Sequence, residues 1–288
     1  MKFFKPFALL VFTLISFSNF AQRNFDDVVI ETTKLSDHVY MLVGSGGNIG
    51  VSAGDDSVLV IDNQFAALTP KILEAIKKLS DKSIKIVMNT HHHGDHTGGN
   101  ENFGELGSTI IAHNNVRKRL KNERPKIALP VITFNDKLNL DINGEQVLAF
   151  HVENAHTDGD VLLYFTESNV LHTGDTYFNG GYPYIDLNSG GSVDGYIDAI
   201  KFGLMVIDNE TKIIPGHGKL SNKAEYEFYL KMLETIRANI LAEIKKGKTE
   251  DDVANNKNIT KTFDDLGYGG GFINEQRVRR AFYKSLKE

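Results

Sequence analysis

The chain has 288 residues, 41% of them hydrophobic, 24% charged and none cysteine. This composition excludes a wholly disordered chain and any disulfide framework, and it limits metal ligands to nitrogen and oxygen. A net charge of −5 with no basic tract argues against nucleic acid or anionic lipid as the main partner.

Residues 1–21 read as a signal peptide. Lys2 and Lys5 form its positive start, an apolar run extends from Pro6 to about Phe17, and small Ala21 precedes Gln22. The run falls short of the ~20 residues that a spanning helix needs. Cleavage is therefore expected, giving a periplasmic or secreted protein with no membrane attachment. Residues 22–288 are expected as a single domain, with about 246–288 as a helical appendage.

β-rich runs follow at Val28–Thr32, Val39–Val43, Ile49–Ala53 and Val58–Ile61, with turns between them, and predict an antiparallel meander. Thr69 is placed as an N-cap with Pro70 in the first turn of a helix striped by Ile72, Leu73, Ile76 and Leu79. A strand over Ile84–Met88 runs directly into a histidine cluster. A further strand is expected at Thr109–Ala112 and a helix from Asn114 to about Glu123. Strands are predicted again at Leu138–Ile142, Val147–Val152, Val161–Phe165 and Val170–His172. A loop rich in Gly and Tyr covers Asn179–Gly191, then a helix Val193–Ile207 and a short strand Lys212–Ile214. The longest helix is placed from an N-cap at Ser221, and its stripe through Tyr226, Tyr229, Leu233, Ile236 and Ile240 reads as core packing. Residues 246–272 are polar and Gly-rich, and a last helix begins near Asn274. Strands and helices mix in both halves, which suits an α/β (α+β) fold of two packed sheets with helices outside.

The chemistry is concentrated in His91-His92-His93-Gly94-Asp95-His96. The pattern H-x-H-x-D-H within it is expected by chance only about 0.001 times in a chain of this composition, so it is a specific signal. In an extended segment, residues two apart share a side, so His91 and His93 can grip one ion while His92 points away. Asp95 and His96, in the following turn, can face a second. Imidazole and carboxylate both suit zinc. His156, Asp175 and His217 follow downstream, each in a turn at the edge of a predicted strand. His38, His113 and His151 read as ordinary surface or core histidines, and His172 as packing.

In order and context, THHHGDHTGG, AHTDGD, HTGDT and IIPGHG resemble the metallo-β-lactamase superfamily, over roughly Val28 to Leu241. The resemblance implies a four-layer αβ/βα sandwich with two zinc ions per chain in a cleft at the sheets' edge. By position, His91, His93 and His156 would bind the first zinc, and Asp95, His96 and His217 the second, with Asp175 bridging. It also implies a zinc-activated water attacking a carbonyl carbon, with Asp95 as the catalytic residue that orients it. Two departures bear on the subfamily. The thiolate-bearing β-lactamases have Cys at the position of Asp175 and Lys at that of Phe178. An aspartate bridge is typical of the glyoxalase II, lactonase and ribonuclease Z branches, although no clear glutathione-binding signature is visible. Expected export places β-lactam hydrolysis first, a lactone, ester or thioester hydrolase second, and a non-hydrolytic metal-binding accessory protein third. Tyr177, Tyr182, Tyr184 and Asn188, in and around the loop after Asp175, are the candidate substrate contacts. Asn188 resembles an oxyanion-contacting Asn of some β-lactamases.

Overall fold

A computed structural model describes residues 24–287. The expected signal peptide lies outside the described residues.

The strands are β1 (Glu31–Lys34), β2 (Val39–Val43), β3 (Ile49–Ala53), β4 (Val58–Ile61), β5 (Ile84–Met88), β6 (Thr109–His113), β7 (Ile132–Phe134), β8 (Lys137–Ile142), β9 (Glu145–His151), β10 (Val161–Phe165), β11 (Val170–His172), β12 (Lys212–Ile214) and β13 (Ser221–Asn222). The helices are α1 (Thr69–Lys77), α2 (Gly94–Thr97), α3 (Asn100–Glu105), α4 (Asn114–Leu120), α5 (Val193–Val206), α6 (Lys223–Lys245), α7 (Glu250–Asn255), α8 (Lys261–Asp264) and α9 (Glu275–Lys287). One sheet has the order β1-β2-β3-β4-β5-β6-β7 and the other β13-β12-β11-β10-β9-β8.

Strand alternation builds the layers. In β4, Leu59 and Ile61 face the second sheet, where they meet Val147, Leu163, Val170 and Ile214. Their neighbours Val58 and Val60 face outward onto Ile72 and Ile76 of α1 and Phe103 of α3. In the second sheet Leu163 points into the seam while Leu162, Leu171 and Ile213 point out onto Tyr196, Ile200, Tyr226 and Leu233 of α5 and α6. Each sheet is thus buried on both faces, and its central strands read as continuous apolar runs. The result is helix, sheet, sheet, helix: the four-layer αβ/βα sandwich expected from the resemblance.

Several boundaries differ from expectation. The first strand begins at Glu31 rather than Val28. Thr69 lies inside α1, where its hydroxyl accepts from Asn102 Nδ2 at 2.9 Å. Asn222, not Ser221, caps α6, with its side chain accepting from Glu225 N at 3.1 Å. Ser221 is held in β13 by pairing with Ile213. The stretch from residue 246 packs into the main core instead of standing off as an appendage: Val253, Phe263, Val278 and Phe282 join the cluster under α5 and α6.

Two parallel pairs position the site. β4 runs parallel to β5, and β11 parallel to β12, so each pair delivers its C-terminal ends to one edge. The loops leaving β5, β11 and β12 carry the histidine cluster, Asp175 and His217. The loop entering β10 carries His156, and Val161 N donates to Thr90 O at 2.9 Å, tying the sheets together there.

Candidate metal centre

The four chain segments converge. His91, His93, His156 and Asp175 offer donor atoms that all lie within 4.8 Å of one another, and so do Asp95, His96 and His217. Asp175 stands between the two sets. Its Oδ2 lies 3.8 Å from His91 Nε2 and 3.6 Å from His156 Nε2. Its Oδ1 lies 3.0 Å from His96 Nε2 and 3.4 Å from His217 Nε2. Asp95 Oδ2 completes the second set at 3.4 Å from His217 Nε2.

The outward nitrogens are already committed. His91 Nδ1 is 3.1 Å from Thr90 Oγ1, whose own proton goes to Asp62 Oδ2 at 2.7 Å. His96 Nδ1 donates to Asp62 Oδ2 at 2.7 Å, and His156 Nδ1 to the Tyr184 carbonyl at 2.7 Å. His93 Nε2 donates to Asp186 Oδ2 at 3.1 Å. These acceptors fix each tautomer and aim the remaining lone pair inward. The inward atoms lack partners: His91 Nε2, His96 Nε2 and Asp175 Oδ1 are buried with no hydrogen bond. His156 Nε2 and His93 Nδ1 face each other at 2.9 Å, within reach of one cation between them. Orphaned buried polar atoms are rare, and these orphans define the donor set of a divalent metal.

The electrostatics of the two sets differ. Burial, reinforced by His96, holds His91 neutral, and burial lowers His156 to about 4, so both present the ligating form. Burial opposes charge on Asp95, yet His96 and His217 outweigh it and bring that carboxyl to about 2. Burial likewise disfavours charge on His217 and His96, but Asp175 wins at both, with Asp62 and Asp95 adding to it at His96; His217 rises to about 9 and His96 well above its usual range, so this set holds protons that a bound cation would displace.

Local sequence explains the close approach. A Cβ on Gly216 would lie 2.2 Å from Asp175 Oδ1, and one on Gly47 2.0 Å from the His96 ring. Only glycine lets these loops reach the carboxylate and imidazole. Asn48 pins the Gly216 loop by donating from Nδ2 to Pro215 O and Gly218 O, each at 2.9 Å.

The other expected residues are sorted by the structure. Asp95 and His96 sit on the single helical turn of α2 rather than in an open turn. His92 is half-buried and belongs to neither donor set; its Nδ1 is unbonded, and it groups instead with His93 and Asp186. Tyr184 lines the cleft over the centre, its ring stacked on His93 at 5.8 Å. Tyr182 also lines it, but its hydroxyl is taken by Asp264 of α8. Tyr177 is a correction. It is fully buried beneath α6, packed on Tyr226 and Tyr229, with its hydroxyl on Ser221 Oγ at 2.8 Å, and it does not line the cleft. Asn188 is another. The turn Leu187–Ser189, capped by the Asp186 side chain, faces it to solvent, and Asp186 reaches the site instead.

Sequence reasoning missed Asp62, Asp186 and Asn48. Asp62 ends the apolar run of β4, and a carboxylate in that place was the available signal. His172 also does more than pack. Gly174 N–H donates to its Nδ1 at 3.2 Å, so Nε2 carries the proton and donates to Asn48 O at 3.2 Å. It therefore holds the turn bearing Asp175 against the β2–β3 loop.

Burial lowers His172 to about 4. The unfolded chain takes up a proton below about pH 6.5 that the folded chain refuses, so this histidine removes stability as pH falls from there to about 4. The slope is about 1.4 kcal/mol per pH unit. Urea unfolding of His172→Gln between pH 7 and 5 should show a shallower loss than the parent, and equal slopes would show that His172 is protonated in the fold.

Comparison with known proteins accords with this geometry. A family model described as "Metallo-beta-lactamase superfamily" matches residues 42–217. The chain belongs to that superfamily. A metallo-beta-lactamase from Pontibacter korlensis superposes with a TM-score of 0.64 at 18% identity, covering 71% of this chain and 99% of that one, a likeness of fold. A hydroxyacylglutathione hydrolase of Pelagibacter ubique is 33% identical over 148 residues, 49% of this chain and 56% of its own length. One from Prochlorococcus marinus is 26% identical over 207 residues, 69% of this chain and 79% of its own length. The chain thus spans just over half of the first of these relatives.

Proposed function

We propose that this superfamily member hydrolyses a thioester or a closely related ester, using two zinc ions at the centre. The carrying observation is Asp175, whose two oxygens are divided between two sets of inward-facing donors. The relatives matched in sequence are named for thioester hydrolysis, which favours that reaction over the β-lactam reading that expected export suggested. Residues 1–21 remain the basis for proposing export.

Bound metal there supplies Lewis acidity that polarises a carbonyl and makes a nucleophile of water at neutral pH. The chain's own groups do the rest. Asp95 is ionised, lines the cleft, and accepts the proton of the attacking water at a carboxylate oxygen. Asp62, Asp186 and the Tyr184 carbonyl keep the imidazoles from rotating.

The test is a panel on the zinc-loaded protein: lactoyl thioesters of glutathione and of N-acetylcysteamine, an acyl-homoserine lactone, and nitrocefin. The better thioester is expected to exceed nitrocefin in kcat/KM by at least about tenfold. Nitrocefin as the best substrate would overturn the proposal.

A further inference from the structure

The centre opens into a cleft of about 690 Å³ whose walls include Phe65, Phe178, Tyr184, Phe272 and Ile273. The charged or titratable groups of its lining are those of the centre itself: His93, Asp95, Asp175 and His217, with tyrosines above. No lysine or arginine lines it among the described residues. Away from the metal centre, a substrate carboxylate in the cleft would meet apolar walls with no cationic side chain, in a chain that is itself acidic.

An aromatic row leads outward. His93 stacks on Tyr184 at 5.8 Å, and Tyr184 meets Phe272 edge-on at 5.7 Å and 87°. Phe272 is 68% exposed at the mouth, beside Gly271 and Ile273. A single exposed Phe is ordinary on a surface. This one continues a wall that begins at a metal-ligating ring, so a bound apolar group would cover it. The two arginines near the mouth are placed otherwise. Arg277 donates from Nη1 to Phe272 O at 3.1 Å, with its guanidinium 5.4 Å above the Phe272 ring, and so supports the wall. Arg124 is exposed and approaches the backbone at Gly94.

We propose that the cleft selects substrates whose non-reacting part is uncharged and apolar or aromatic, with Phe272 as a specificity-determining residue. The inference rests on the reaction proposed above for the position of the scissile carbonyl. It departs from the relatives' substrate: a tripeptide thiol carries two carboxylates and an ammonium, and stripping these of water against aromatic walls without counter-charges is unfavourable. An aryl or alkyl group gains from the same burial.

Two inert thioethers separate selectivity from turnover: neutral S-benzyl-N-acetylcysteamine and charged S-benzylglutathione, titrated calorimetrically into the zinc-loaded full chain. The neutral compound should bind about tenfold tighter. Phe272→Ala should weaken its binding about fivefold, with metal content and melting temperature unchanged because the side chain is mostly exposed. Equal or tighter binding of S-benzylglutathione, or unaltered binding of the neutral thioether by Phe272→Ala, would overturn the inference. So would a loss of S-benzylglutathione affinity in Arg124→Ala, or a loss in Arg277→Ala that the neutral thioether does not share, since that reveals a cationic subsite. Neutral preference without turnover of any thioester would uphold the selectivity and sink the reaction class instead.

Discussion

Asp175→Asn is expected to lower hydrolysis by about a thousandfold, equivalent to about 4 kcal/mol of transition-state stabilisation. The substitution keeps the size of the side chain, so the buried turn at Gly174–Thr176 still packs. It removes the negative charge and turns one of two ligand oxygens into an NH2 donor. Oδ1 faces His96 and His217 while Oδ2 faces His91 and His156, so either orientation of the amide spoils one donor set. Metal analysis should fall from two ions per chain to about one or fewer. The metal-free variant should unfold more easily than the metal-free parent at neutral pH, because His96, His217 and His91 outweigh burial and hold the native carboxyl well below its usual range, an attraction that the amide lacks. Full loading with activity within tenfold of the parent would refute the bridging role.

The second large effect belongs to Asp62→Asn. Asp62 is fully buried and has a positive φ of 60°, a conformation that Asn tolerates well, so the substitution adds little backbone strain. Its carboxylate accepts from Thr90 N at 2.8 Å, Thr90 Oγ1 at 2.7 Å and His96 Nδ1 at 2.7 Å. An amide has a single acceptor oxygen, so at least one of these donors must face an NH2. Leaving a buried donor unpaired costs about 1–3 kcal/mol. The same loss frees the His96 ring and the Thr90–His91 step, and metal affinity should fall about 10- to 100-fold. Denaturant unfolding of the metal-free protein measures the first effect and competition with a chelator the second. Unchanged affinity would mean that the imidazole is held by packing alone.

How much of this was legible follows residue by residue. His91, His93, Asp95 and His96 were readable because one short segment carries four donors at a spacing that strand geometry explains. His156, Asp175 and His217 were readable as flagged turns at strand edges, though only the fold shows that they meet. Asp62 and Asp186 were not, since a lone Asp after a strand or in a loop has many structural uses. Tyr177 and Asn188 were misplaced for a related reason: nearness in sequence to Asp175 does not say which side of a loop faces the cleft. Tyr177 follows the turn at Asp175 and goes under α6 to Ser221, whereas Tyr184 returns over His93. The helical character of the polar tail could have been seen at Thr249, which forms a capping box with Asp252. The Gly-rich composition around it obscured that signal.

Each donor set draws on both sheets: His91 and His93 follow β5, while His156 precedes β10; Asp95 and His96 follow β5, while His217 follows β12. Neither half of the chain alone presents more than two imidazoles to either ion. The centre can therefore mature only after the inner layers have met, and an ion held there acts as a clasp across the seam. Its capture would report that the sandwich has closed, and its removal would loosen the joint between the layers before any single sheet came apart.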